Sequence, residues 1–438
     1  MNEPLWQDYH KHTSLSNVYT KDSPLIHLDY WNELKARYGN KSCAYTTVEH
    51  GWAGNYFKTY DDIEKFNKKN GTNIKFVFGY EAYWVKDRHT DDKSNCHVIL
   101  LARNDNGRKS LNKILSIANK DGYYYRPRLD LELIMSLPPD DVMLTTACIA
   151  YWNKYQDIDD ITDQLASKFP YFYLEVQPHH TQQQADLNRH ILELSSQINV
   201  PIVAGCDSHV IFESQMKDRD DLLESAHISY EDEDGWFMDF PTYDVLFSRF
   251  QQQGVLSDEQ IKQAIDNTNV LMDFEDIVLD RSLKVPVIKS LRDKTQQERN
   301  EEFERIVWSE WEQQKWDINE AKHDEYIEEI NDAIIEIEAC NMADYFITTY
   351  YTMKDGQEKY GGILTPTGRG SGVSMYLNKI LRFTKVDKVN SPVEMYPERF
   401  LTKERVLESH VPPDIDHNVS DRQPFIRAQR ELVGELGT

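Results

Sequence analysis

The sequence predicts an α/β protein with two or three domains, and three observations support this prediction. The chain has 438 residues, enough for several separate cores. Hydrophobic residues make up 40% of it, as in ordinary globular proteins. From about residue 5 to 270, short apolar runs alternate with amphipathic helical stretches. This alternation indicates βαβ units that form a parallel sheet or a barrel.

The apolar runs of this first region are the strand candidates, and one helical pattern stands out between them. The strand candidates are 43–50, 74–85, 96–103, 142–150, 171–178 and 200–210. The helical pattern covers 182–197, where Ala185, Leu187, Ile191 and Leu194 recur at helical spacing.

Functional side chains in such folds gather at the C-terminal ends of the strands. That rule selects His50, Glu81, Cys148, Asp207 and His209. His97 departs from it, because this residue opens its strand instead of ending it.

The second part of the chain begins after a polar stretch that follows Pro286, which we interpret as a linker. A long acidic helical region is predicted over about 298–339, and its apolar side chains at helical spacing should form a core. These are Phe303, Ile306, Val307 and Trp311. An aromatic run, a glycine-rich loop, an amphipathic helix and a pair of aspartates complete the chain.

The net charge of −25 argues against a protein that coats nucleic acid, because carboxylates repel phosphate. Residues 361–410, however, carry eight Lys or Arg against five Asp or Glu, so a nucleic-acid contact is expected near them. No apolar run is long enough for a membrane span, and the N-terminus does not read as a secretory signal. The five cysteines lack paired spacing, which favours a reducing cytoplasm.

His10 and His12 are spaced so that both imidazoles point to the same face of an extended strand. Imidazoles on one face can bind zinc, manganese or iron. Together with the acids, the cysteine and the histidines at the strand ends, they could hold two or three ions that activate water and bind a phosphate oxygen. Taken singly, each residue has a plainer explanation, such as a surface pair, a core histidine or a buried thiol.

The sequence segments around these residues resemble the PHP domain of C-family bacterial polymerases, the DNA polymerase III alpha family. They are YHKHTSLSN, TTVEHGWAG, FGYEAYWV, CHVILLARNDNGRKSLNKI, LTTACIA and IVAGCDSH, in that order. The resemblance implies a distorted (β/α)7 barrel with a divalent metal cluster of Zn²⁺ or Mn²⁺, with Fe as a further candidate. The ligands it implies are His10, His12, His50, Glu81, His97, Cys148, Asp207 and His209. It also implies possible exonuclease or phosphoesterase activity.

Two positions depart from the pattern of that family. Asn17 stands where the family usually has an aspartate, and this neutral ligand should weaken one metal position. Glu49 stands where an aspartate more often precedes the histidine.

The C-terminal part combines a glycine turn with two acids. Gly368, Arg369, Gly370 and Ser371 precede a predicted helix, where backbone N–H groups and an arginine can bind phosphate. Asp414 and Asp416 would share one face of a strand, and two such carboxylates are a natural site for two Mg²⁺ ions. The alternatives are an ordinary glycine loop and a solvated acidic turn.

ADYFITTYY, GRGSG, VDKVNSPVEMYPERFLTKERV and PPDIDHN resemble the polymerase-β-like nucleotidyltransferase palm of the same family. The resemblance implies that Arg369, Gly370 and Ser371 bind the incoming triphosphate and that Asp414 and Asp416 are catalytic metal ligands. Asn418 replaces a third acid that is usual after the pair. The domains expected are a PHP domain at 1–285, a helical connection at 286–340 and an incomplete α+β palm at 341–438.

These observations predict a DNA-directed DNA polymerase of the polymerase III alpha type, from a bacterium or a phage, in the cytoplasm. Its expected partners are primer–template DNA, dNTPs, a remaining polymerase segment and other replisome subunits, with no membrane. The chain is expected to lack a later catalytic acid and to be inactive alone. Two alternatives stay open: a free-standing PHP phosphoesterase, and a binding module in which both sites are relics.

Overall fold

The computed structural model describes residues 4–16, 26–94, 96–225, 227, 235–281, 283–365, 368–409 and 411–434. The chain divides into a first unit that ends at Leu279 and a second unit that begins at Asp280. Asn17, the predicted weak ligand, lies outside the described residues. In the part of the chain that the structure describes, no helix has both the length and the apolar character needed to cross a bilayer.

The first unit alternates strands and helices, as the sequence predicts. Its strands are β1 (Ser42–Tyr45), β2 (Asn73–Phe76), β3 (Gly79–Trp84), β4 (Cys96–Ala102), β5 (Tyr123–Tyr124), β6 (Arg126–Leu129), β7 (Val142–Thr145), β8 (Phe172–Val176) and β9 (Ile202–Ala204). Its helices are α1 (His27–Tyr38), α2 (Tyr56–Asn70), α3 (Asp105–Asp121), α4 (Leu131–Met135), α5 (Ile158–Lys168), α6 (Gln182–Ile198), α7 (Met216–Ser225), α8 (Tyr243–Gln253) and α9 (Asp258–Asp266).

The pairing of these strands closes a barrel. Among the described residues, one sheet has the strand order β5-β6-β3-β4-β7-β8-β9, and β1 pairs with β2 just before β3. The N-terminal segment joins the two edges: Lys11 bridges Ser208 after β9, and the backbone N–H of Val48 donates to the carbonyl of Lys11 at 2.9 Å. A further bridge between His50 and Glu81 continues the pairing of β1 along β3.

Strand β4 runs antiparallel to both of its neighbours, β3 and β7. The prediction of a parallel barrel therefore needs a correction at this strand. The antiparallel direction of β4 also explains the position of His97, because the start of an antiparallel strand lies at the same barrel end as the C-termini of parallel strands. His97 thus reaches the ligand end although it opens β4.

Successive residues of β4 pack into two different cores. Val98 and Leu100 join the large cluster that lies beneath the helices, whereas Ile99 and Leu101 join a smaller cluster with Met143. Because side chains alternate across a strand, the smaller cluster is the interior of the barrel. Because both faces of these strands are buried, their sequences are continuous apolar runs.

The second unit is mainly helical. Its helices are α10 (Gln296–Gln314), α11 (His323–Ala339), α12 (Ala343–Glu358), α13 (Tyr376–Ile380), α14 (Lys403–Ser409) and α15 (Gln423–Val433), and its strands are β10 (Leu364–Thr365) and β11 (Asn418–Val419). The predicted acidic helical region is two helices, interrupted at 315–322.

The four apolar side chains predicted as a core on the first of these helices are buried together with α11, α12 and α13, which confirms their role. Two predictions for the C-terminal part need correction. Asp414 and Asp416 precede β11 and lie outside any strand, and the helix after the glycine loop has only five residues, behind a short 3-10 turn at Ser371–Ser374.

Candidate metal centre and nucleotide site

The predicted metal ligands of the first unit converge at one end of the barrel. His10, His12 and Asp207 form one group whose candidate ligand atoms lie within 4.8 Å of one another. Two further groups meet the same criterion: His50, Glu81 and His97, and His12, His50 and His209. His12 and His50 are shared, so the three groups make one continuous cluster.

Glu81 lies at the centre of this cluster and is almost completely buried. One of its carboxylate oxygens is 2.8 Å from Nδ1 of His97, and the other is 2.9 Å from Nε2 of His50 and 3.4 Å from Nε2 of His12. Burial opposes ionisation, but His97 and His50 outweigh it and hold the pKa of Glu81 well below its usual range. Glu81 is thus an anion whose two oxygens face different histidines.

Asp207 makes a second anionic centre in the cluster. Its Oδ1 atom is 3.3 Å from Nε2 of His10 and 3.1 Å from Nε2 of His12. Its backbone has a φ of +50°, in the left-handed region that non-glycine residues seldom adopt. Ala147, the residue before Cys148, shows the same feature with a φ of +48°. Such outliers concentrate where a structure holds functional side chains in place.

The atoms that face one another in this cluster fit a metal site. Nε2 of His10 and His12, both Glu81 oxygens and Oδ1 of Asp207 are buried and lack a well-aligned hydrogen bond within the described residues. Buried polar atoms without partners are costly, and cations that accept electron pairs would satisfy all of them. The donors, imidazoles and carboxylates, suit zinc, manganese or iron.

Cys148 lies at the rim of the group around His97, with its Sγ 3.6 Å from Nδ1 of His97. Burial, together with Asp207 and Glu81, raises the pKa of this thiol well above its usual value. A bound cation would reverse this effect, because coordination favours the thiolate.

The residue between the two N-terminal histidines points away from the cluster. Lys11 is buried, and its ammonium lies 5.1 Å from the ring centroid of Tyr45, 5.6 Å from that of Phe240 and 5.7 Å from that of Tyr30. Cation–π contacts of this kind stabilise a buried lysine. The H-x-H segment is therefore fixed with both imidazoles toward the ligand end, as strand geometry requires.

Glu175 is a site residue that the sequence analysis missed. Its Oε1 is 2.6 Å from Nδ1 of His10, and its Oε2 accepts a hydrogen bond from the Tyr9 hydroxyl at 2.5 Å. Gln177 donates to Oε1 at 2.8 Å. A carboxylate on one imidazole nitrogen directs the other nitrogen toward a metal. The available signal was an acid inside an otherwise apolar strand, since a buried carboxylate needs partners.

Glu49 does not belong to the metal groups. Its Oε1 accepts hydrogen bonds from the Thr13 hydroxyl at 2.7 Å and from the Thr13 backbone N–H at 3.2 Å, and Ser16 also donates to this carboxylate. Ser16 in turn contacts Nδ1 of His12 at 3.3 Å and accepts from the His50 backbone N–H. Glu49 therefore positions the segment that follows the first histidine pair.

In the second unit, the glycine loop and the aspartate pair are in direct contact. Nη2 of Arg369 lies 3.2 Å from Oδ1 of Asp416. Gly370 has a φ of +81°, and a Cβ added there would collide with the carboxylate of Asp416. A backbone without side chain therefore lies against one acid of the pair, with a guanidinium beside it. This is the arrangement in which a triphosphate and its cations could be bound together.

The aromatic run on α12 fixes the position of the acids. The Tyr345 hydroxyl donates to the carbonyl of Pro413 at 2.8 Å, and Ile415 packs against the core of the unit. Asp414 is exposed, while Asp416 turns toward the loop and is about one-third exposed. Ser371 follows Gly370 and begins the 3-10 turn.

Comparison with known proteins assigns the two units. Residues 8–179 match the PHP domain family, and residues 290–435 match the family described as the bacterial DNA polymerase III alpha NTPase domain. The chain therefore contains the PHP domain and the polymerase III alpha NTPase domain that the sequence predicts. The predicted α/β fold class agrees with these matches.

Several proteins named DNA polymerase III subunit alpha are similar to this chain. The protein of Aquifex aeolicus is 26% identical over 90% of this chain, which corresponds to 35% of the relative. The protein of Campylobacter jejuni is 24% identical over 81% of this chain and 32% of its own length. That of Borreliella burgdorferi is 32% identical over 37% of this chain and 15% of its own. The chain thus spans about a third of the length of the first of these relatives.

Proposed function

We propose that this chain contributes to template-dependent DNA synthesis as part of a polymerase III alpha-type DNA-directed DNA polymerase. The observation that carries this proposal is the contact of Gly370 and Arg369 with Asp416. Primer–template DNA and dNTPs are the proposed substrates, and a further polymerase segment and replisome subunits are the proposed partners. The proposed domain limits are those expected from the sequence, with a palm from residue 341 onward.

Each residue of the second site has a definite proposed task. Asp414 and Asp416 bind divalent cations, of which Mg²⁺ is the proposed one, and these neutralise charge on the phosphates. Gly370 lets the backbone approach the triphosphate, and Ser371 offers its backbone N–H and hydroxyl. Arg369 exchanges its contact with Asp416 for one with a phosphate, since both acceptors are anionic oxygens.

Nucleotide binding by the purified chain tests this proposal. Titration with dATP and Mg²⁺, followed by calorimetry, should show binding that requires the cation. Asp416→Asn should remove most of it, because one carboxylate of the pair becomes a neutral amide. Asp293→Asn, an exposed acid of the same unit, is the matched control and should bind as the wild type does. Equal binding by both variants would contradict the assignment.

We also propose that the barrel cluster hydrolyses phosphodiesters, with a DNA 3′ end as the substrate of a 3′–5′ exonuclease. What favours this second function is the set of buried atoms around Glu81 and Asp207 that face one another without a well-aligned hydrogen bond among the described residues. Divalent cations in such a cluster activate water and neutralise phosphate charge. The two carboxylates hold the positions of these cations, and the histidines complete their coordination. The proposed ions are Zn²⁺, Mn²⁺ or Fe.

Metal analysis and hydrolysis of bis(4-nitrophenyl) phosphate test this second function. The wild type should purify with more than one transition metal per chain and should cleave the diester. Glu81→Gln should lower both quantities, whereas Glu193→Gln, on the exposed side of α6, should change neither. A metal-loaded wild type that leaves the diester intact would exclude hydrolysis, and well under one metal per chain would favour a relic site.

A further inference from the structure

A hairpin at the edge of the barrel sheet presents aromatic side chains to solvent. Strands β5 and β6 pair antiparallel and place Tyr125 alone at the turn. Tyr125 is 68% exposed and Tyr123 is 62% exposed, more than any other aromatic side chain described in the first unit. A group of exposed aromatic side chains, unlike a single one, can mark a binding surface.

The turn residue has a backbone conformation that tyrosine disfavours. Tyr125 has a φ of +60°, where a turn would ordinarily use glycine or asparagine. A bulky residue in the left-handed region is a true outlier, and such outliers point toward functional positions. The fold therefore retains a tyrosine at this tip at a cost to backbone stability.

Positive charge accompanies these rings. The ammonium of Lys93 lies 4.6 Å from the ring centroid of Tyr125 and 5.8 Å from that of Tyr124. Within residues 120–128, Lys120 and Arg126 are exposed against a single acid, Asp121, in a chain whose net charge is −25, whereas Arg128 is buried. Rings interleaved with cations are the pattern that binds single-stranded nucleic acid, through base stacking and phosphate contacts.

Side-chain contacts connect the hairpin to the metal cluster. Arg126 donates to the Tyr83 hydroxyl, and its guanidinium lies 4.6 Å from the Tyr83 ring. The same ring is 5.2 Å from the His97 ring and 6.1 Å from the His50 ring. Tyr83 thus lies between two of the cluster histidines and the exposed arginine. A single-stranded nucleic acid with one phosphate at the cluster could place its next phosphates along Arg126 and its bases on the exposed rings.

From this arrangement we propose that the hairpin Tyr123–Leu129, with Lys93, is a platform for the single-stranded end of a nucleic acid that reaches the barrel cluster. The proposal rests on the hydrolytic function proposed above, and it adds a surface that would bind the single-stranded end of that site's substrate. Tyr125 and Tyr123 stack on bases, and Arg126 contacts the backbone. A small phosphate ester would gain little from these contacts because it lacks bases.

Fluorescence anisotropy of the metal-loaded chain with a 5′-labelled oligothymidylate measures the platform directly. Tyr125→Ala should weaken binding about tenfold, as expected for the loss of one stacked base. Arg126→Gln should weaken binding and also flatten its dependence on salt, because one phosphate contact is lost. Phe57→Ala, which removes an exposed ring of α2, is the matched control and should bind as the wild type does. Fully paired DNA should bind less tightly than the single strand.

Two results separate this proposal from the hydrolytic one. If the oligonucleotide binds in a Tyr125-dependent way but neither it nor bis(4-nitrophenyl) phosphate is cleaved, the platform is supported and hydrolysis is not. If the small diester is cleaved while Tyr125→Ala binds the oligonucleotide as tightly as the wild type, the platform is wrong. Equal affinity for single-stranded and fully paired DNA would also overturn it.

Discussion

Glu175 holds His10 from the side opposite the metal cluster, at 2.6 Å between Oε1 and Nδ1, and both side chains are fully buried. The contact leaves Nε2 of His10 facing Asp207. The carboxylate lies directly against Gly205, where a Cβ would collide with it. The orientation of a candidate metal ligand is therefore set by a residue that does not itself face the cluster.

Substitution Glu175→Gln should lower the affinity of the cluster for Zn²⁺ or Mn²⁺ by about 10- to 100-fold, because the carboxylate no longer orients and polarises His10. Competition with a chromogenic chelator measures this change. Glu193→Gln, the same substitution at an exposed position, is the control. An unchanged affinity in Glu175→Gln would mean that His10 is held by its other contacts.

Substitution Gly370→Ala should weaken binding of dATP and Mg²⁺ strongly, because its methyl group would displace Asp416. Gly370 has a φ of +81° and a ψ of 172°, a backbone conformation that essentially only glycine adopts, so Gly370→Ala should also lower the stability of the unit. Gly361→Ala is the comparison, since Gly361 has a φ of +68° and no heavy atom near its added Cβ. Gly361→Ala should lose less stability in urea than Gly370→Ala, and only Gly370→Ala should lose nucleotide binding.

The sequence predicted the position of most cluster residues because ligands at strand ends follow from strand geometry. It predicted the exception of His97 without its cause, since the direction of β4 depends on pairing with distant strands. Glu175 was missed for a related reason. Its role depends on a contact with a residue 165 positions away along the chain. Local patterns carry no information about such a partner.

In the C-terminal part, the sequence predicted the pair of acids but assigned the wrong secondary structure to it. An alternation of acid, apolar residue and acid favours a strand, yet Asp414 and Asp416 lie in a segment without regular secondary structure before β11. Tyr345 and the packing of Ile415 hold this segment in place of a neighbouring strand. Tertiary contacts thus orient the two aspartates, although their alternating pattern would suggest that pairing in a sheet does so.

Substitution Arg369→Gln should weaken binding of the triphosphate without changing the stability of the fold. The ion pair with Asp416 is largely exposed on the arginine side, so its loss should cost at most about 1 kcal/mol. A phosphate contact in the bound state is worth more, because a guanidinium can donate two parallel charge-assisted hydrogen bonds to a phosphate. Calorimetry with dATP and Mg²⁺ and thermal unfolding, measured on the same sample, separate the two effects. A large drop in melting temperature would show that the arginine is structural.

Metal binding by the barrel cluster should weaken as the pH falls from about 8 to 6. Burial opposes protonation of His10, but Glu175 and Asp207 outweigh it and hold its pKa well above 6.5. A proton therefore competes with the metal at this residue even above pH 6.5, and acidification favours the proton. Because the metal binds the folded chain, its loss should also lower the melting temperature. Titrations at several pH values, with and without a chelator, check both effects, and a metal affinity that is constant between pH 8 and 6 would show that His10 is not a ligand.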